Sequence, residues 1–130
     1  MRTDLLKTSL VAIVIVHLIV AIVHGTAHSG ADVALSQAQL FFVVVVILLG
    51  PLAGLVLTRV RPRAGAAVIT ASMAGALIFG LVHHFVLPGT DNVLEVQGTW
   101  RVVFGSTAAL LAVLELGGTA AGLLTARRSS

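Results

Sequence analysis

No cysteine occurs among the 130 residues. That excludes disulfides, thiolate metal sites, iron–sulfur clusters and covalently attached c-type haem. Charge is also scarce, at 10% of residues, against 58% hydrophobic residues and a mean hydropathy of +1.08. A soluble domain needs a polar surface, and this composition cannot cover one. No segment alternates apolar and polar residues as barrel strands do. The net charge of +3 is no nucleic-acid footprint, because the basic residues sit in short clusters beside apolar runs. The sequence therefore predicts an integral membrane protein with no nucleic-acid partner.

What is present is a set of long apolar blocks, each near the roughly 20 residues that a membrane-crossing helix requires. Four spans can be drawn, at about residues 5–27, 40–58, 64–87 and 102–126. The first has a short basic start but is too long for the apolar core of a signal peptide, about 7–15 residues, and reads as retained. The expected fold is an all-α, up-down-up-down bundle of four transmembrane helices forming a single domain over residues 1–130. Arg2, Lys7, Arg59, Arg61, Arg63, Arg127 and Arg128 then share one side, and only Arg101, beside Trp100, lies on the other. The positive-inside rule places both termini in the cytoplasm, in what reads as a bacterial inner membrane. Gly50 and Pro51 predict a kink in the second span, which has no ionisable group and should be the most lipid-exposed. Small residues mark helix contacts: Ala71, Gly75, Ala76 and Gly80 on the third span, and Ala108, Ala112, Gly118 and Gly122 on the fourth.

A shift of 59 residues aligns LIVAIVHGTAHSGADVAL with LIFGLVHHFVLPGTDNVL. His24, Gly30 and Asp32 meet His83, Gly89 and Asp91. This predicts two tandem helical hairpins, over about residues 1–60 and 61–130, related by a pseudo-two-fold axis along the membrane normal. His24 and His83 would be equivalent.

The five histidines gather the chemistry. His17, His24 and His28, spaced seven and four, fall within about 40° of one another on a helix. Such a stripe should face the bundle interior or a wet cavity rather than lipid. His24, His83 and His84 share a depth near the outer ends of their helices, with His28 one turn above. Asp32, Asp91 and Glu95 lie in the outer loops beyond. His24 and His28, with His83 or His84, are candidate ligands for copper, zinc or iron, and Asp91 or Asp32 a fourth ligand or supporting partner. A b-type haem between His24 and His83 is the alternative. Glu115, in the middle of the last span, must be paired, hydrated or protonated, and His17 is the ionisable group nearest its depth. This pair is a candidate proton relay. No catalytic residue can be named. A redox or transport role, or that of an accessory subunit in a homo-oligomer or larger membrane complex, fits the small size and short loops.

HGTAH resembles the first histidine box, HxxxH, of the membrane di-iron desaturases and hydroxylases, and LVHH keeps the paired histidines of their HxxHH box. The resemblance implies a metal held by helix-borne imidazoles. It covers only these short stretches. Those enzymes draw on more histidines than the five present here, so one chain cannot fill their di-iron site.

Overall fold

The computed structural model describes residues 2–128, all helix, turn or loop with no strand among them. α1 runs Arg2–Gly30, α2 Gln37–Phe42, α3 Gly50–Leu57, α4 Pro62–Leu81 and α5 Arg101–Arg128. Two π-helical stretches complete the set. Val43–Leu49 joins α2 to α3, and Val82–Val86 extends α4. Among the described residues, four helices are long and apolar enough to cross a membrane: Leu5–Gly30, Gln37–Leu57, Pro62–Val86 and Arg101–Arg128.

Local chemistry sets the boundaries. α1 stops where Asp32 takes a left-handed φ of 54°. The Val33 amide then reaches back to the His28 carbonyl (2.9 Å) and the Asp32 amide to that of Ser29 (3.4 Å). This pairing satisfies the last carbonyls of the helix, with Asp where glycine is usual. α2 opens on a capping box, in which Ser36 Oγ accepts from the Gln39 amide (3.2 Å) and Gln39 Oε1 from the Ser36 amide (2.8 Å). α4 begins at Pro62, whose missing N–H costs nothing in the first turn.

Pro51 shows itself as a change of helical pitch. In an α-helix its ring would crowd the carbonyl four residues back. The chain before it widens into the π-stretch, and the Gly50 amide bonds the Val45 carbonyl five residues back. The expected irregularity is thus spread over residues 43–49.

α5 packs on both α1 and α4, and α3 packs on α4. The Gly118 position of α5 rests on Met73, and Gly122 on Ala66 and Thr70, as the small-residue pattern predicted. Another close approach was not predicted. A Cβ at Gly65 would lie 2.6 Å from the Gly54 carbonyl oxygen, so α3 and α4 meet backbone to backbone. The second span is the most exposed, with 11% of its apolar window buried against 22–33% in the others.

A two-fold between hairpins would make α1 pack on the second span as closely as α4 packs on α5. It does not: α1 touches the second span only marginally and leans on α5 instead. The packing therefore departs from the symmetry that the sequence repeat suggests. Two core clusters result. Leu10, Val14, Ile69, Met73 and Ala121 fill one half, and Ala27, Val33, Val96 and Phe104 the other.

Candidate metal centre

The stripe on α1 faces inward, with His17, His24 and His28 all buried. The π-stretch at the end of α4 supplies the facing side. Its wider turn ends with the Leu87 amide on the Val82 carbonyl (2.8 Å). Within it His84 is buried while His83 is half-buried. The following loop folds back over this end. The Val93 amide bonds the His84 carbonyl (3.0 Å), and buried Asn92 donates from Nδ2 to the Leu87 carbonyl (2.9 Å). That return places Asp91 beside His84.

His24, His28 and His84 come together, with one candidate ligand atom from each lying within 4.8 Å of the others. The Phe104 ring, fully buried, lies against all three imidazoles at centroid distances of 4.8–5.4 Å. Hydrogen bonds assign the ring nitrogens. His24 Nδ1 is 2.8 Å from Thr107 Oγ1, whose own hydroxyl is given to the Val103 carbonyl at 2.6 Å, so Nδ1–H donates. His28 Nδ1 faces the Val33 carbonyl (3.3 Å). His84 Nδ1 faces the Asp91 carbonyl (3.0 Å) and Oδ1 (2.9 Å), and the carbonyl is the aligned acceptor. Each partner can only accept here, so each Nδ1 carries the proton and each Nε2 a lone pair.

Those Nε2 lone pairs have little protein to bond. His24 Nε2 lies 3.2 Å from His84 Nε2, where two lone pairs repel unless a proton or cation stands between them. His28 Nε2 lies 3.5 Å from Asp91 Oδ1. Both Asp91 carboxylate oxygens are buried without an aligned hydrogen bond. Burial raises the Asp91 carboxyl, but the close approach of the His84 Nδ1–H outweighs it and holds the group below its ordinary value. The site thus presents three imidazole lone pairs and a carboxylate, a donor set suited to zinc, copper or iron.

Other candidates lie elsewhere. His83 turns to the Gln39 amide nitrogen (3.4 Å from its Nδ1) and the Phe79 ring (4.4 Å between centroids) rather than to His24. Asp32 is exposed in its left-handed turn. Glu95, also exposed, accepts from the Gly89 amide (3.1 Å). Deeper in the bundle, His17 Nε2 meets Glu115 Oε1 at 3.3 Å, both residues buried, and His17 Nδ1 has no hydrogen-bond partner. Thr107 and Phe104 drew no attention in the sequence. A threonine in a membrane helix ordinarily bonds its own backbone, and nothing in the spacing marks the one that also receives an imidazole.

A cavity of about 70 Å³ begins at the triad and ends at Glu115. Small residues, Ala21, Gly25, Ala76, Gly80, Ala108 and Ala112, make much of its wall. Comparison of the chain with protein-family models, with curated proteins and with solved structures returns no match.

Proposed function

We propose that the protein is a small integral membrane protein that holds one transition-metal ion (copper, zinc or iron) on Nε2 of His24, His28 and His84, with the Asp91 carboxylate as a fourth ligand or close partner, in a redox or transport role. The observation that carries this is the shared arrangement of the three imidazoles. Every Nδ1–H is given to a fixed oxygen, which is how metal-bound histidines are ordinarily oriented, and every Nε2 is left for the ion. The spacing agrees. Two nitrogens bound about 2.0–2.1 Å from a tetrahedral ion lie about 3.3 Å apart, and His24 and His84 stand at 3.2 Å.

An ion fits better than a haem. His83, the proposed second axial ligand, is engaged by Gln39 and Phe79, and the cavity beside His24 is only about 70 Å³. The basic clusters support an up-down-up-down topology with both termini in the cytoplasm, which puts the metal near the extracytoplasmic face.

Elemental analysis and an absorption spectrum of the purified protein test the reading. Near-stoichiometric metal is expected, lost in His84→Ala and His24→Ala variants that still purify as folded helix. A Soret band at about 410–430 nm would overturn it in favour of haem. Neither metal nor haem would favour an accessory subunit without a cofactor of its own.

A further inference from the structure

The deep pair is the largest feature that metal binding leaves unused. Glu115 and His17 sit in the middle of their helices, where an ionisable group is costly to place and ordinarily has a task. The surroundings of the pair differ on its two sides. Toward the N-terminal end of α1 the core is Leu10, Val14, Ile69 and Met73. The open direction from Glu115 is the cavity.

His17 holds Oε1 of the carboxylate. The other oxygen, Oε2, points to the gap left by Gly80: a Cβ there would lie 3.9 Å from Oε2 and 3.8 Å from His84 Cδ2. The missing side chain of Gly80 thus keeps a passage between the carboxylate and the triad. The space is small. One water takes about 10–15 Å³ and benzene needs a cavity of about 150 Å³, so about 70 Å³ admits a few light atoms and no ring. A second, more open groove adjoins it on the side of α2 and shares Gly25, His28, Leu35 and Val43 with it, which gives a way in between α1 and the second span.

We propose that this cavity is a binding site for a small protic Lewis base, a molecule of one to four heavy atoms. With Asp91 a close partner and not a ligand, its lone pair takes the fourth coordination position of the ion, and its X–H donates to Glu115 Oε2. The inference rests on the metal site proposed above. The walls decide the class. Other than the three imidazoles and Glu115, the lining is apolar, so a ligand has one place for a lone pair and one for a proton. A carboxylate at the far end disfavours anions. Glu115 is then a binding residue, and His17 a positioning residue that fixes which of its oxygens faces the ligand.

The test uses full-length protein loaded with Co(II), whose visible spectrum reports a new ligand. Ammonia, azide and pyridine are titrated in turn. Ammonia is expected to shift the spectrum of the wild type and to bind at least tenfold more weakly in Glu115→Leu, with partial recovery in Glu115→Gln. Azide, an anion without a proton, should bind more tightly in Glu115→Leu than in the wild type. Pyridine should leave the wild type unchanged, and Gly80→Val should block ammonia while retaining cobalt. Equal ammonia affinity in wild type and Glu115→Leu, or pyridine binding as readily as ammonia, would overturn the proposal and leave the metal site standing. Failure of the wild type to retain cobalt would overturn both.

Discussion

The two halves of the bundle are held together differently. Around Leu10, Val14, Ile69 and Met73 the helices meet through apolar side chains and glycines: backbones approach closely at Gly54, Gly65 and Gly122, and Gly118 rests on the Met73 side chain. Around His24, His28 and His84 the same helices carry a polar cluster whose orientation is set from outside, by a helix-ending turn, a returning loop and one threonine. The first half can be strengthened or weakened by volume alone. The second depends on where single oxygen atoms stand. Damage to either should therefore be separable.

The largest effect expected is at the polar end. His84→Ala removes one Nε2 and the contact with Asp91, and metal stoichiometry should fall to near zero while the helical circular dichroism signal stays. Met73→Ala tests the opposite half. It should cost about 2–5 kcal/mol in detergent denaturation, with metal content unchanged, and loss of metal in that variant would break the separation. Asp91→Asn is gentler. The amide keeps the shape and the main-chain carbonyl still orients His84, so metal affinity should drop about 10–100-fold by competition with a chelator. The smallest change is Asp32→Gly. Glycine fits a φ of 54° without strain, so stability should move by less than about 1 kcal/mol. Metal affinity should not move at all, and a loss would mean that Asp32, and not only Asp91, serves the site.

Composition and periodicity made the four apolar helices legible, along with the exposed second span and the inward stripe of His17, His24 and His28. These depend on properties summed over many residues or on a fixed 100° step. The pairing of Glu115 with His17 was legible for a related reason, because two ionisable groups at one depth in an apolar bundle have few alternatives. What could not be read was which of two adjacent histidines turns inward. The repeat favoured His83 as the partner of His24, with His83 and His84 both metal candidates, whereas in the structure His84 lies with His24 and His28. The difference is one residue of helical phase, and the π-stretch at Val82–Val86 sets that phase. A local change of pitch depends on the loop that pulls on the helix end, here through Asn92 and Val93, and no pattern of residue types within the helix records it. The Gly54–Gly65 approach escaped for a similar reason: a glycine in a greasy helix looks the same whether or not a neighbour lies against it.

The second span contributes none of the candidate donor atoms. All four donor-bearing positions belong to α1, to the end of α4 and to the loop after it, and Thr107 stands on α5. The span forms one wall of the cavity with Val43 and Ile47. Near its N-terminal end it is held by the Gln39 contact to His83 and by the stacking of Phe42 on Phe79, with ring centroids 4.8 Å apart. Against α1, which carries two of the candidate donors, it rests only lightly. The candidate donors and this wall of the cavity thus belong to different parts of the molecule. The Gln39–His83 and Phe42–Phe79 contacts therefore shape that wall without touching any candidate donor atom, so a change at His83 can alter the cavity while leaving His24, His28, His84 and Asp91 in place.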